Sequence, residues 1–134
     1  MAAQAGLLSP GLIDTSVFIA VEVGRRLGAL PAARAVSLAT IAELQLGVLM
    51  AADPAIRSIR LRTLASVEAT YRALPLDRTV AGLYAELTAE ARRQGRRPGV
   101  MDTGIAATAV AHGLPVYTQD PDFIQIPRVE VILV

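Results

Sequence analysis

The sequence predicts an α/β domain in which a parallel sheet carries helices on both faces. Short apolar segments typical of buried strands alternate with longer segments of helical periodicity, which is the pattern of βαβ units. The composition is 53% hydrophobic but only 4% aromatic, which suits helices packed on a sheet better than a β-sandwich. The length of 134 residues fits one domain with one core, and no repeat or linker divides it.

Five segments are expected to form strands, and helices are expected between them. The strands are predicted at Gly11–Ile13, Val36–Ala39, Leu74–Leu76, Pro115–Thr118 and Val129–Val134.

Helix boundaries are predicted from capping residues. Asp53 and Asp77 are typical N-caps, and Gly95 is placed to end the helix that Asp77 begins. Thr40 and Glu43 have the spacing of a capping box, which predicts a helix that starts at Thr40. The helix after Asp53 is expected to turn one stripe inward, at Ile56, Ile59, Thr63, Val67 and Tyr71.

The composition excludes several classes of function. The absence of cysteine excludes disulfides, zinc–thiolate sites and cysteine nucleophiles. All 13 basic residues are arginine, so no mechanism can use a lysine. Receiver-like domains and haloacid-dehalogenase-type phosphatases use a lysine near the phosphoryl group, so the absence of lysine argues against both classes. No apolar run is long enough to span a bilayer and no signal peptide is recognisable, so a cytoplasmic protein is expected.

Five of the 12 acidic residues are expected at one edge of the sheet. In a parallel α/β unit the strand C-termini and the helix N-termini share an edge, where open sheets bind their ligands. Asp14 ends the first strand, and Asp120 and Asp122 follow the fourth. Glu43 and Asp102 are each expected in the first turn of a helix that begins at this edge.

Bringing these carboxylates together requires a counter-charge. Two like charges about 4 Å apart repel by about 4 kcal/mol at an effective dielectric constant near 20. A divalent cation that prefers oxygen ligands, Mg²⁺ or Mn²⁺, can neutralise such a cluster, activate water and stabilise charge on a phosphoryl oxygen. The acids therefore predict a metal site for cutting a phosphodiester.

Four segments together resemble the motifs of PIN-domain nucleases, and most closely those of VapC-type toxins: Asp14-Thr15-Ser16, Glu43 in Thr-Ile-Ala-Glu-Leu, Asp102-Thr-Gly-Ile-Ala-Ala, and Thr118-Gln-Asp120-Pro-Asp122-Phe123. Each motif alone is weak, but the four occur in order from Leu12 onward. The resemblance implies a five-stranded parallel sheet of order 3-2-1-4-5 and Mg²⁺- or Mn²⁺-dependent cleavage of RNA. It also implies a single domain over residues 1–134, with an N-terminal extension at Met1–Ser9.

The resemblance carries roles to individual positions. Asp14, Glu43, Asp102 and Asp120 match the acidic quartet of the family, and Asp122 matches a fifth, variable position. Asp14, Asp102, Asp120 and Asp122 are the metal ligands that it implies. Ser16 and Thr118 match hydroxyl positions that orient carboxylates or the attacking water. Pro121 is less usual between two of these acids, so the sharing of one metal by Asp120 and Asp122 stays open.

Each acid also has a purely structural interpretation. Asp14 can cap the following helix, the capping box accounts fully for Glu43, and Asp102 can complement a helix dipole. Asp120 and Asp122 suit a turn. A non-catalytic PIN-like module that binds RNA or protein is therefore the alternative function. Placement of all five acids at one edge favours the nuclease.

Two kinds of macromolecular partner are expected. The arginine run Arg92, Arg93, Arg96 and Arg97 is a candidate RNA-binding surface, since guanidinium groups match phosphate geometry, although a solvated helix end explains it too. Arg25 and Arg26 are a second candidate. The family resemblance implies a cognate VapB-like antitoxin, and the apolar segments 41–52 and 56–71 offer surface for that partner and for a homodimer.

Overall fold

The computed structural model describes residues 8–134, and in this range five parallel strands form one sheet of order β3-β2-β1-β4-β5. The predicted α/β class and strand order are confirmed. The strands are β1 (Gly11–Ile13), β2 (Arg34–Ser37), β3 (Arg72–Leu74), β4 (Val116–Thr118) and β5 (Val131–Leu133). Most of the predicted N-terminal extension lies outside the described residues.

Five α-helices and one short 3₁₀ helix connect these strands. They are α1 (Thr15–Val23), α2 (Leu38–Met50), α3 (Pro54–Thr70), α4 (Arg78–Arg93), α5 (Val100–Ala111) and the 3₁₀ helix Pro121–Gln125. None of the helices in residues 8–134 is both long and apolar enough to cross a membrane.

The sheet separates two hydrophobic cores because successive strand residues point to opposite faces. Leu12 of β1 packs in the core that α4 and α5 cover. Its neighbour Ile13 packs on the other face, in the core covered by α1 and α3. The α2 helix contributes to both, through Ala39 on one side and Leu44 on the other.

The pairing of β1 with β4 creates the switch point of the sheet. β1 lies between β2 and β4, and its register pairs Leu12 with Val116 and Ile13 with Tyr117. The residues that follow, Asp14 and Thr118, therefore leave neighbouring strands at the same edge. A crevice is expected at this position in open α/β sheets.

Several local signals predicted the helix ends correctly. Asp53 caps α3 by accepting a hydrogen bond from the Ala55 N–H, and Asp77 caps α4 by accepting one from the Val80 N–H. Gly95 adopts a positive φ of 76° just after α4, as expected of a glycine that ends a helix.

The predicted start of α2 is wrong. Ser37, not Thr40, is the N-cap, and its hydroxyl accepts a hydrogen bond from the Ala39 N–H at 3.1 Å. The helix therefore begins at Leu38, which places Thr40 inside it and Glu43 in its second turn. The strand predictions at Val36–Ala39 and Leu74–Leu76 are both two residues late. Because β2 and β3 pair with each other, through Ser37 and Leu74, both end earlier.

The inward stripe predicted for α3 is only partly correct. Val67 is buried, but Ile56 and Ile59 are 41% and 37% exposed, and Leu64 is buried instead. The inward side of α3 packs against α1, which has 9 residues, whereas α3 has 17. Part of α3 therefore extends beyond α1, and its apolar side chains there stay exposed.

Candidate active site

Asp14 is held at the switch point by the backbone of both neighbouring elements. Its N–H donates to the Tyr117 carbonyl at 3.0 Å, which continues the pairing of β1 with β4. The Asp14 side chain is the N-cap of α1 and accepts a hydrogen bond from the Ser16 N–H. The residue is only 3% exposed, so its carboxylate lies in the interior of the site.

A directed chain of hydrogen bonds ends on Asp14. The Gln119 N–H donates to Ser16 Oγ at 2.9 Å, Ser16 Oγ lies 3.1 Å from Thr118 Oγ1, and Thr118 donates to Asp14 Oδ2 at 2.8 Å. An ionised carboxylate can only accept, so the single Thr118 proton points to Asp14. The Ser16 hydroxyl must then donate to Thr118, and every proton in the chain has a fixed direction.

The same threonine also orients the backbone of the next acid. The Asp120 N–H donates to Thr118 Oγ1 at 2.9 Å. Asp120 is the N-cap of the 3₁₀ helix, and its Oδ1 accepts a hydrogen bond from the Asp122 N–H at 2.9 Å. Asp120 is half-buried and Asp122 is exposed. Thr118 thus links the acid at the end of β1 to the acid after β4.

Glu43 reaches the site from the second turn of α2. The Thr15 hydroxyl donates to Glu43 Oε1 at 2.7 Å. Burial raises the pKa of Glu43, the hydrogen bond from Thr15 lowers it, and the nearby charge of Asp14 raises it further. The net effect is a pKa above the ordinary value of 4.5.

Asp102 lies in the first turn of α5, as predicted, and is the most perturbed acid of the site. Its pKa is raised from 3.8 to about 6, first by burial and then by the charges of Asp14, Asp120, Glu43 and Asp122. The charges of the other four predicted acids therefore all act on Asp102. This position is costly for an ionised carboxylate unless a cation is present.

Three of the carboxylates are each held by the protein through only one of their two oxygens. Asp14, Glu43 and Asp120 each use one oxygen, Oδ2, Oε1 and Oδ1 respectively, to accept hydrogen bonds from the protein. In the contacts described for residues 8–134, their second oxygens and both oxygens of Asp102 accept no side-chain or capping hydrogen bond. In each of Asp14, Glu43 and Asp120, the hydrogen bond to one oxygen fixes the orientation of the carboxylate. The second oxygen can then bind water or an ion.

The donor set fits a hydrated Mg²⁺ or Mn²⁺ ion. Within residues 8–134, no three acidic or histidine side chains are close enough to hold an ion by themselves. Mg²⁺ usually keeps several waters and binds through only one or two carboxylates, so it does not need such a group of three. Oxygen-only ligands and a large negative charge agree with that chemistry.

Within residues 8–134, no arginine forms an ion pair with any of these five acids. In the described part of the chain, the ion pairs join Arg128 to Glu86 at 3.6 Å and to Glu90 at 3.5 Å, both on α4. The predicted RNA-binding residues Arg92, Arg93, Arg96 and Arg97 are all exposed. Of these, Arg96 makes a long 3.4 Å hydrogen bond to the Gln125 carbonyl.

Three polar residues near the acids, Thr15, Thr40 and Gln119, had no predicted role in the site. Thr15 and Thr40 lie beside Glu43, and the Gln119 side chain donates to the carbonyls of Arg26 and Val134 at 2.9 and 3.2 Å. The spacing of Thr40 and Glu43 was visible, since residues three apart share a helix face. It was assigned to a cap because the start of α2 was misplaced.

The sheet order and the acids at its switch point define a class of protein. The sequence model of the PIN domain matches residues 11–129, so the chain belongs to the PIN-domain family.

Within that family the chain is similar to ribonucleases of toxin–antitoxin systems. It is 45% identical over 115 residues to Ribonuclease VapC5 of Mycobacterium tuberculosis, covering 84% of each chain. It is 39% identical over 127 residues to Ribonuclease VapC4 of the same organism, covering 92% of this chain and 95% of that one.

Solved structures agree with the sequence relatives. A crystal structure of VapBC-5, a member of the VapBC family of toxin–antitoxin systems from M. tuberculosis, superposes with a TM-score of 0.82 at 40% identity, covering 94% of this chain and 98% of that one. FitAcB from Neisseria gonorrhoeae gives a TM-score of 0.72 at 30% identity, covering 90% and 95%. The resemblance to PIN-domain nucleases of the VapC type is thereby confirmed.

Proposed function

We propose that this protein is an endoribonuclease that hydrolyses RNA phosphodiester bonds and acts as the toxin of a type II toxin–antitoxin system. The observation that supports the proposal is that the charges of Asp14, Asp120, Glu43 and Asp122 all raise the pKa of Asp102, in a domain of the PIN family. Its relatives VapC5 and VapC4 are named ribonucleases, which supports the same activity here.

We propose Mg²⁺ or Mn²⁺ as the cofactor, bound directly by one or two of Asp14, Asp102, Asp120 and Asp122 and through its water molecules by the others. Such an ion activates water and stabilises charge on a phosphoryl oxygen. The chain's own residues prepare the site. Ser16 and Thr118 fix the orientation of the Asp14 carboxylate, while Glu43 accepts a proton from, or orients, the attacking water.

RNA binding is proposed at the exposed arginines that precede Asp102 in the chain. Arg92 and Arg93 end α4, and Arg96 and Arg97 lie in the loop that leads into α5, six and five positions before Asp102. Arginine side chains that neutralise phosphates make binding dependent on salt. Replacing Arg96 and Arg97 by Gln should weaken RNA binding and reduce its dependence on salt concentration. Unchanged binding would show that these residues do not contact RNA.

A hydrogen bond supports the second arginine pair as an alternative RNA-binding surface. The Gln119 side chain donates to the carbonyl of Arg26, and Gln119 directly follows Thr118. The same binding measurement on a variant with Arg25 and Arg26 replaced by Gln compares the two candidate surfaces.

A VapB-like antitoxin is the proposed protein partner, and self-association is proposed as well. Apolar side chains remain exposed on α2 and α3, among them Leu46, Leu49, Met50 and Leu61. Large exposed apolar patches are typical of protein interfaces. Co-expression with the small protein encoded beside the gene should give a complex that survives purification. A chain that stays monomeric and unbound in that experiment would contradict this part of the proposal.

The nuclease is tested by sequencing the cut ends of cellular RNA after brief expression, and by cleavage of the same RNA in vitro with Mg²⁺, with Mn²⁺ or with EDTA. Asp14→Asn keeps a side chain that can cap α1 but removes the charge, so it should fold and abolish cleavage. Asp53→Asn is the matched control, because Asp53 caps α3 outside the site. Cleavage by the Asp14→Asn protein at the parent's rate would overturn the proposal. Binding of RNA without cleavage by the parent would favour the non-catalytic module.

A further inference from the structure

Thr15 bridges two helices at the edge of the site. It is the first residue of α1, and its side chain reaches across to α2. The Thr15 hydroxyl donates to Glu43 Oε1 at 2.7 Å, and its oxygen lies 3.2 Å from the hydroxyl of Thr40, one turn before Glu43. Thr15 is 8% exposed and Thr40 is fully buried, so water does not readily replace these contacts.

We propose that Thr15 is a positioning residue for Glu43. A glutamate side chain has several rotatable bonds, and α2 presents Glu43 from its second turn, where no backbone N–H is free to hold the carboxylate. The hydrogen bond from Thr15 anchors Oε1 and leaves Oε2 for water or an ion. This inference rests on the proposed nuclease activity, in which Glu43 acts on the attacking water.

The Thr15 hydroxyl has a second oxygen within reach, Thr40 Oγ1, at 3.2 Å. Thr15 is the donor in both contacts, and a hydroxyl has one proton, so the two oxygens compete for it. The shorter distance and the charge of the carboxylate mark Glu43 as the stronger acceptor. The arrangement parallels the way in which Thr118 orients Asp14, but it serves a different acid, and its donor lies in the helix α1 and not in the strand β4.

The test compares Thr15→Val, which keeps the shape of the side chain and removes the hydroxyl, with Thr15→Ser, which restores the hydroxyl. The probe is a labelled RNA fragment that spans a site cut by the wild-type protein in cellular RNA. Thr15→Val should lower kcat by about tenfold or more with KM changed less than about twofold, because small misplacements of a reacting group are costly. Thr15→Ser should recover most of kcat.

A matched control is available at Thr63 of α3, whose acceptor Glu22 lies on the same helix as Thr15. Thr63 donates to Glu22 Oε1 at 2.7 Å, the same kind of bond between two helices, but neither residue belongs to the candidate site. Thr63→Val should leave kcat within about twofold of the wild-type value, because the Thr63 hydroxyl bonds to Glu22 and the Ile59 carbonyl and to none of the five acids.

A double-mutant cycle shows whether Thr15 acts through Glu43. In a Glu43→Gln background, Thr15→Val should change kcat by less than about twofold, because the group that it positions is already altered. The same cycle in thermal unfolding of the EDTA-treated protein should show coupling between the two positions, independently of activity. If Thr15→Val does not fold, Thr15→Ala replaces it in both cycles.

Three outcomes would overturn the assignment. The first is a kcat for Thr15→Val within twofold of wild type, the second is equal impairment by Thr15→Ser, and the third is an unreduced effect of Thr15→Val in the Glu43→Gln protein. A wild-type protein that cuts no RNA would instead refute the proposed nuclease itself. In that case the unfolding cycle still reports on the bond between Thr15 and Glu43.

Discussion

The Thr118 hydroxyl donates a 2.8 Å hydrogen bond to Asp14 Oδ2 and so joins two residues that lie 104 positions apart. The bond follows from the register of the sheet, because Ile13 pairs with Tyr117 and the next residue of each strand lies at the same edge. Two parallel strands thus supply an acid and the hydroxyl that orients it.

Thr118→Val should impair both folding and cleavage. Thr118 is fully buried, and valine would leave the Asp120 N–H and the Ser16 hydroxyl without their acceptor. Unfolding in urea should show a loss of about 1–3 kcal/mol, the cost of unsatisfied buried polar groups. Cleavage should fall by about tenfold or more, because Asp14 loses the donor that orients it.

Thr108→Val is the control for Thr118→Val. Thr108 is equally buried and donates to the Gly104 carbonyl, but it touches none of the five acids. A similar loss of stability with cleavage preserved is expected. If Thr118→Val cleaves as well as Thr108→Val does, the orientation of Asp14 by Thr118 is unimportant for the reaction.

Divalent cations should stabilise the folded protein. An ion that binds only the folded state at a hundredfold excess over its Kd contributes about 2.7 kcal/mol. Titration with Mg²⁺ or Mn²⁺ should therefore raise Tm in differential scanning calorimetry. The rise should shrink in Asp14→Asn and Asp102→Asn but persist in Asp53→Asn. An equal response of all four proteins would place the ion elsewhere.

The stability of the metal-free protein should depend on the charge of Asp102. Its pKa is about 6 when folded against 3.8 as the reference, so the folded state binds this proton more tightly. Its contribution to stability is therefore present at low pH and is lost as pH rises from about 4 through about 6. In EDTA, Asp102→Asn should gain Tm relative to wild type at pH 7.5 and gain less at pH 4. A difference in Tm that does not change with pH would contradict the assignment.

Gly11→Ala should be severely destabilising. A Cβ at Gly11 would overlap the ring of Tyr117, which is 1% exposed and anchored by a 2.9 Å hydrogen bond from its hydroxyl to the Ser9 carbonyl. Overpacking of this kind costs about 1–3 kcal/mol or more. Chemical denaturation measures the loss.

Gly82→Ala provides the comparison for Gly11→Ala. Gly82 lies inside α4 with nothing within 4 Å of an added Cβ. Alanine should raise stability there by about 0.5–1 kcal/mol, since it favours the helix. Equal changes in stability at both glycines would show that the contact with Tyr117 does not cause the loss expected for Gly11→Ala.

Features that depend on neighbouring residues could be predicted from the sequence. Asp53 and Asp77 cap their helices through bonds to N–H groups two or three positions away. The first strand ends at Ile13, immediately before Asp14, and Asp102 lies in the first turn of its helix, as predicted. The alternation of strands and helices predicted the parallel sheet, since parallel strands need crossover connections.

Features that depend on distant partners could not be predicted. Thr40 and Glu43 have the pattern of a cap, yet Ser37 begins the helix, because its hydroxyl both accepts from Ala39 and lies 2.9 Å from Thr108, 71 positions away. Short strands such as β3 have too few residues to set their own ends, so the pairing with β2 sets them.

The sequence by itself determined the fold class, the acids at the edge of the sheet and the chemistry that they suit. Only the tertiary structure decided which oxygen of each acid the protein holds, and that Thr15 meets Glu43. A local pattern specifies bonds to nearby backbone, whereas contacts between helices depend on how the whole chain packs.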